Sequence, residues 1–362
     1  MSVMAHINQR ALDLGVPISV HMDLTYRCNE RCVHCYLDHD DRGEMTTAEI
    51  KGILEQLADA GVFFLTLSGG EPLMRKDFFE IVAYARSLLF NVKVKTNGLL
   101  IGEKEAQRLL ELGVENVQIS VYSHRPEVHD AITKVKGSLE RTKKAIRFLR
   151  AQGLKLTIAN VMMTANLGDQ SGVRELAKEL DCIYSVDPTI TPHIDGDMSL
   201  LKLRISTHEL EKLMRSPELV GGEADEYCVP FEPAKQDDME STPCSAGHTA
   251  CYISPYADVF PCVQFPLPTG NLRKEKFLAI WNDSPQMNEV RSIRLEDLST
   301  CSGCGHVGGC SRCPGLAYME GNMRGPSSAD CEKSFARTGI WSANMIKKFE
   351  NAPALVQIAG AL

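Results

Sequence analysis

Cys28, Cys32 and Cys35 fall in the run RCNERCVHCY, close enough for three thiolates to share one metal centre. Three thiolates in one loop suit a cubane iron–sulfur cluster, which normally takes four cysteines. With no fourth cysteine nearby, one iron is left open to another ligand. The spacing also admits a structural zinc site, with His34 or His39 as the fourth ligand. A second group follows far downstream: Cys244, Cys251 and Cys262, then Cys301, Cys304, Cys310 and Cys313 in CSGCGHVGGCSRC, and finally Cys331. These eight, with no regularly placed histidine, fit two all-thiolate zinc sites or two iron–sulfur clusters alike. Cys182 and Cys228 stand apart. Cys182 opens an apolar strand and reads as a small buried residue.

A non-cysteine motif carries equal weight. Ser68-Gly69-Gly70-Glu71-Pro72 ends a β-rich run, at the edge where parallel α/β sheets bind ligands. Two glycines let a ligand approach the backbone closely, and Glu71 can pair with an ammonium group.

The elements that must position these residues alternate. Strands are expected over Ile18–Thr25, Phe63–Ser68, Val92–Thr96, Asn116–Val121, Leu156–Val161 and Ile183–Ile190. Helices are expected over Thr46–Ala60, Asp77–Phe90, Glu103–Leu112, Ser138–Ala151 and Gly172–Leu180. In Ser138–Ala151 the residues Leu139, Thr142, Ile146 and Leu149 recur at helical spacing, with a basic face around them. Strand–helix alternation of this kind predicts parallel βαβ units, in a partial barrel or an open wound sheet, with the active site at the strand C-terminal ends. The pattern then breaks. Residues 206–243 read as an acidic linker, 244–335 as a cysteine-rich segment held together more by metal than by an apolar core, and 336–362 as a C-terminal helix.

The 362 residues carry a net charge of −8, which argues against nucleic acid as a partner. The first twenty residues lack the pattern of a secretory signal, and no run is long and apolar enough to span a membrane. The expected compartment is the cytoplasm, where thirteen cysteines read as metal ligands rather than disulfides.

CxxxCxxC followed by an aromatic residue, with GGEP closing the second strand, resembles the radical S-adenosylmethionine (SAM) superfamily over roughly residues 18–205. The resemblance implies an α/β fold, a partial (β/α)6 TIM-like barrel. It also implies a [4Fe–4S] cluster on Cys28, Cys32 and Cys35, whose open iron binds the methionine end of SAM. One electron then cleaves SAM to a 5′-deoxyadenosyl radical that abstracts a substrate hydrogen. Ser68, Gly69, Gly70 and Glu71 are implied to hold the methionyl end, Tyr36 to lie near the adenine, and Thr96, Asn97 and Ser120 to make polar contacts. The superfamily often has an acid or glycine soon after the serine of the fourth strand. Here Tyr122-Ser123 follows.

The C-terminal cysteines resemble the SPASM extension of these enzymes, which carries two auxiliary [4Fe–4S] clusters and brings the total to three. Its usual YGxVxPC hairpin reads here as Tyr256-Ala257-Asp258-Val259-Phe260-Pro261-Cys262, with alanine in place of glycine. Cys310 and Cys313 have two residues between them where three are usual. The resemblance implies Cys244, Cys251, Cys262 and Cys313 for the first auxiliary cluster and Cys301, Cys304, Cys310 and Cys331 for the second.

Radical SAM peptide maturases share this pattern, including the enzyme that crosslinks a peptide in pyrroloquinoline quinone biosynthesis. The implied activity is crosslinking or epimerisation of a ribosomally made precursor peptide. Enzymes that remodel haem precursors share the layout and form the alternative. Sulfatase maturases place an aspartate base after the third auxiliary cysteine, where this chain has Val263 and Gln264. A non-enzymatic iron–sulfur or zinc protein would have no use for Ser68–Pro72. Expected partners are the peptide, a separate small protein that recognises its leader, and a flavodoxin or ferredoxin reductant. The residues ahead of the first strand are too few for a recognition module. Cys228, in the acidic linker, reads as an ordinary linker cysteine or as a thiol that returns a hydrogen atom to a substrate radical.

Overall fold

The computed structural model describes residues 3–216, 239–307 and 310–339. Six parallel strands run in chain order: β1 (Ser19–Asp23), β2 (Phe64–Ser68), β3 (Asn91–Thr96), β4 (Asn116–Ser120), β5 (Leu156–Val161) and β6 (Ile183–Asp187). Helices connect them: α2 (Thr47–Asp59), α3 (Phe78–Ser87), α4 (Glu103–Glu111), the pair α5 (Pro126–Thr133) and α6 (Ser138–Ala151), and α7 (Gln170–Glu179). A helix α1 (Val3–Leu14) precedes them. Each strand pairs in parallel with the next, from Ser19↔Phe64 through to Val161↔Asp187. This is the TIM-like partial barrel, with helices crossing over one face of the sheet.

Every expected strand and helix of this region is present, with ends moved by a few residues. Leu156–Val161 and Ser138–Ala151 keep their expected bounds. Helices α1 and α5 were not expected. The helices form where apolar residues recur at helical spacing behind a cap. Thr46 and Glu49 make a capping box for α2, whose Ile50, Ile53, Leu54 and Leu57 are buried.

Strand residues alternate, and this decides where the core lies. Val20 and Met22, Leu65 and Leu67, Val92 and Val94, and Val117 and Ile119 join one apolar core with the helices. The intervening positions are His21 and Asp23, Thr66 and Ser68, Lys93 and Lys95, and Gln118 and Ser120. Parallel sheets covered on both faces are apolar on both. This one keeps a polar face, as a sheet curled around a binding site does.

The sheet continues beyond β1 into the cysteine-rich segment. β7 (Ala250–Ile253) pairs in parallel with β1, Val20 opposite Cys251, and β8 (Asp258–Phe260) and β9 (Gly270–Asn271) extend it antiparallel. In the β7–β8 turn Ala257 has φ +70°, which explains why glycine is usual there. The next helix, α9 (Phe277–Asp283), carries Trp281, whose indole donates to the Gly15 carbonyl at 2.8 Å.

The chain divides into two compact units, Met1–Arg204 with Ser245–Arg291, and Ile205–Cys244 with Ser292–Leu362. In the second, α8 (Thr207–Met214) packs against α12 (Ser328–Thr338). Within the stretch read as linker, Ser206 caps α8 by accepting from the Glu209 amide. Helix α12 holds Cys331 and ends at Gly339; residues 340–362, read as helical, lie outside the described residues. Two further helices are α10 (Pro285–Ser292) and α11 (Pro314–Met319).

Candidate functional site

A cavity of about 470 Å3 opens at the C-terminal ends of the strands. That volume lies in the range of small-molecule sites. Cys28, Cys32 and Cys35 line it together with Tyr36, Ser68, Gly69, Gly70, Thr96, Asn97 and Ser120. All the residues that the motifs placed around SAM therefore meet here, except Glu71.

The loop after β1 is pinned on two sides. Arg31 and Val33 amides donate to the Thr133 and Ile132 carbonyls at the end of α5, each at 3.0 Å. On the other side Gly70 donates to Thr25 O at 2.7 Å and Glu71 to Arg27 O at 2.9 Å. This second contact explains both glycines. A Cβ on Gly69 would lie 2.3 Å from Thr25 O, and one on Gly70 would lie 2.5 Å from the Tyr26 and Arg27 carbonyls. Glycine is demanded here by backbone meeting backbone, in addition to any approach of a ligand.

Burial shapes the thiols. Desolvation pushes Cys28 up to about 12 and raises Cys32 and Cys35 as well. Buried thiols of this kind stay protonated until a metal takes them as thiolates. Donors already surround Cys28: the Glu30 amide at 3.4 Å and Asn97 Nδ2 at 3.8 Å. Among the described residues no three His, Cys, Asp or Glu side chains are gathered to grip a single ion. His34, a candidate zinc ligand, instead meets Tyr122 edge-on at 4.7 Å, and His39 Nδ1 lies 3.2 Å from the Tyr26 carbonyl. The donor set fits a cubane cluster bound by three cysteines: the three residues line a cavity that has room for a further ligand.

Glu71 lies behind the cavity wall. Its carboxylate is fully buried and does not line the cavity. It accepts from Thr96 Oγ1 at 2.9 Å, the Asn97 amide at 2.8 Å and the Leu73 amide at 3.1 Å. Burial raises it to about 7 against the pull of these donors. Glu71 thus latches the end of β2 to the end of β3, and Thr96 and Asn97 are the other half of that latch. Asn97 Nδ2 also donates to Asn29 Oδ1 at 2.6 Å, tying the latch to the cysteine loop.

Residues of the polar sheet face complete the cavity, and the motifs did not reveal them. His21, Lys95, Gln118, Asn160, Ser185 and Asp187 all line it. His21 Nε2 lies 3.1 Å from Asp23 Oδ1, and Tyr252 donates to Asp23 Oδ2 at 2.8 Å. Lys95 makes no hydrogen bond or ion pair among the described residues, and burial lowers its pKa. Their signal was present in the sequence as polar residues alternating through parallel strands. Directly after Cys262, Val263 offers no titrating group, and the next residue, Gln264, donates from Nε2 to Thr191 Oγ1 at 2.9 Å. Ser123, soon after β4, bonds Asp169 Oδ2 at 2.5 Å, and Asp169 also holds Arg125.

Of the C-terminal cysteines, Cys301, Cys304, Cys310 and Cys331 line one small cavity in the second compact unit. Cys251 and Cys262 belong to the first unit, and Cys244 and Cys313 to the second. Cys313 also caps α11, accepting from the Leu316 amide. Cys182 is half-buried, and Cys228 lies outside the described residues. Among the described residues no helix is long and apolar enough to cross a membrane.

Comparison with known proteins agrees with this geometry. Residues 22–180 match the model of the radical SAM superfamily, and 244–305 that of an iron–sulfur cluster-binding domain, SPASM. The PqqA peptide cyclase of Xanthomonas axonopodis pv. citri is 31% identical over 355 residues, 94% of each chain. The AdoMet-dependent heme synthase of Methanosarcina barkeri is 28% identical over 328 residues, 84% of this chain and 93% of that one. Among solved structures, Streptococcus suis SuiB bound to its precursor peptide SuiA superimposes with a TM-score of 0.70 at 20% identity, covering 90% of this chain and 79% of that one. The chain belongs to the radical SAM superfamily and is an enzyme of its SPASM-bearing branch.

Proposed function

We propose that this enzyme modifies a ribosomally made precursor peptide at an unactivated C–H bond, by crosslinking or epimerisation. The observation that carries the reading is the polar face of the sheet. His21, Lys95, Gln118, Ser185 and Asp187 offer hydrogen-bonding partners along the cavity wall. A peptide brings amides that need such partners, whereas the apolar macrocycle of a tetrapyrrole would strip these groups of water without replacing it. The relationship to a peptide cyclase over nearly the whole chain supports the same choice.

In this reading Cys28, Cys32 and Cys35 would hold the [4Fe–4S] cluster, and Ser68, Gly69, Gly70, Tyr36, Asn97 and Ser120 would hold SAM. When bound, the pair supplies the radical that removes a substrate hydrogen. The chain's own part is placement. The loop is fixed to β2 and α5, the Glu71 latch fixes Thr96 and Asn97, and the surrounding apolar core excludes water from below. Cys301, Cys304, Cys310 and Cys331 would hold an auxiliary cluster. A leader-binding protein and a flavodoxin or ferredoxin complete the system.

A second reading, side-chain chemistry on a haem precursor, is favoured by Lys95, whose ammonium would suit a propionate, and by the similarity to a heme synthase. The test is incubation of reduced enzyme and SAM with each short peptide found encoded beside its gene. A crosslink lowers the peptide mass by a pair of hydrogens, and epimerisation incorporates solvent deuterium. An unaltered peptide, with loss of carboxylate from a haem precursor, selects the second reading.

A further inference from the structure

Arg312 is 5% exposed, within the second compact unit. Backbone carbonyls hold one side of its guanidinium: Nε donates to Gly325 O at 2.8 Å, and Nη2 donates to Gly325 O at 2.6 Å and to Met323 O. Nη1 is buried and has no hydrogen-bond partner among the described residues. The same side chain lines the small cavity with Cys301, Cys304, Cys310 and Cys331. Leaving a buried N–H of a charged group unmet is costly, more so than for a neutral one. An acceptor belongs in that cavity, and the surrounding donor set says which kind. Four thiols facing a cation suit a group of net negative charge, and thiolate-ligated iron–sulfur clusters carry one.

We propose that Arg312 Nη1 donates a hydrogen bond to sulfur of the cluster held by these four cysteines and thereby raises its reduction potential. The inference rests on the reading of the four cysteines as cluster ligands. The direction follows from charge. Taking up an electron makes the cluster more negative, and a fixed guanidinium in a low-dielectric pocket favours the more negative state. Ser334, also buried, is a second donor, within hydrogen-bond reach of Cys310. A raised potential suits a cluster that accepts an electron from oxidised substrate more than one that must deliver a low-potential electron.

The experiment is a redox titration followed by electron paramagnetic resonance on anaerobically reconstituted full-length protein, with iron counted in every sample. A Cys28/Cys32/Cys35→Ala background removes the SAM cluster signal, and Cys301→Ala identifies the signal of this cluster. Arg312→Gln should retain its iron and shift the reduced-to-oxidised ratio at a given potential at least tenfold toward oxidised, or 59 mV for one electron. Arg312→Lys, which keeps the charge but not the planar fork, should shift in the same direction by less. An unmoved potential in a fully loaded Arg312→Gln overturns the proposal. If that variant cannot be loaded, an unmoved potential in Arg312→Lys overturns it. Unchanged iron in Cys301→Ala would instead sink the ligand assignment on which the proposal rests.

Discussion

Replacing Glu71 with alanine leaves the Leu73 and Asn97 amides without their acceptor and removes the partner of the Thr96 hydroxyl. The hydroxyl also accepts from the Gly98 amide and can turn, so the main loss is at two buried N–H groups. At about 1–3 kcal/mol for each unmet donor, the latch is worth about 4 kcal/mol. For a unit of this size that lowers the melting temperature by roughly 8–16 °C. The pH dependence has a definite sign. The folded-state carboxyl sits at about 7 against 4.5 for an ordinary glutamate. Its stabilising contribution is therefore greatest below pH 4.5 and declines as pH rises through 7, by about 3 kcal/mol. Wild type and Glu71→Ala should accordingly differ more at pH 5 than at pH 8. The assay is thermal unfolding of reconstituted protein at both pH values, alongside SAM binding by equilibrium dialysis. Weakened SAM binding is expected to accompany the lower melting temperature, because Thr96 and Asn97 lose their anchor. If SAM binding were lost while the melting temperature stayed put, the carboxylate would have to contact SAM directly, and the latch would be wrong.

The Cys28/Cys32/Cys35→Ala variant should lose about four irons and all reductive SAM cleavage while retaining the auxiliary iron, checked by iron analysis and 5′-deoxyadenosine release. Gly70→Ala forces a methyl to within 2.5 Å of two carbonyls and should destabilise by at least about 1–3 kcal/mol, read from the urea midpoint; a wild-type midpoint would contradict the close packing of the loop. Lys95→Met should raise the melting temperature, since it removes an ammonium whose desolvation outweighs the attraction of Asp23 and Asp187, and should lower turnover of the peptide. A lower melting temperature there would mean that Lys95 contributes to the fold rather than to the cavity.

Much of the barrel could be read from the chain because each βαβ unit is local. The Ser138–Ala151 helix declares itself by Leu139, Thr142, Ile146 and Leu149, all buried. Helix α5 escaped notice because eight residues opening on a proline give too short a period to recognise. Strand β7 escaped for a different reason: ACYI has no alternation, and its partner lies some two hundred residues earlier, so nothing local announces the pairing. The site divides in the same way. Cysteine spacing marked the loop, and GGEP marked the strand end that meets it. The role of Glu71 could not be seen, because its partners Thr96 and Asn97 come from another strand. His21, Lys95 and Gln118 carry no motif at all, although their alternation with Met22, Val94 and Ile119 was in view.

That alternation separates two kinds of evolutionary constraint by a single residue step. Val94 and Ile119 answer to the packing of the core, while Lys95 and Gln118, their immediate neighbours, answer only to whatever enters the cavity. A lineage can therefore exchange the inward set for a new substrate while the outward set keeps the barrel folded. Each inward position can be tried without waiting for a compensating change in the core. A peptide cyclase and a heme synthase that both align with this chain along most of its length are what such a barrel would produce. Retargeting this enzyme by design should begin at the same inward residues.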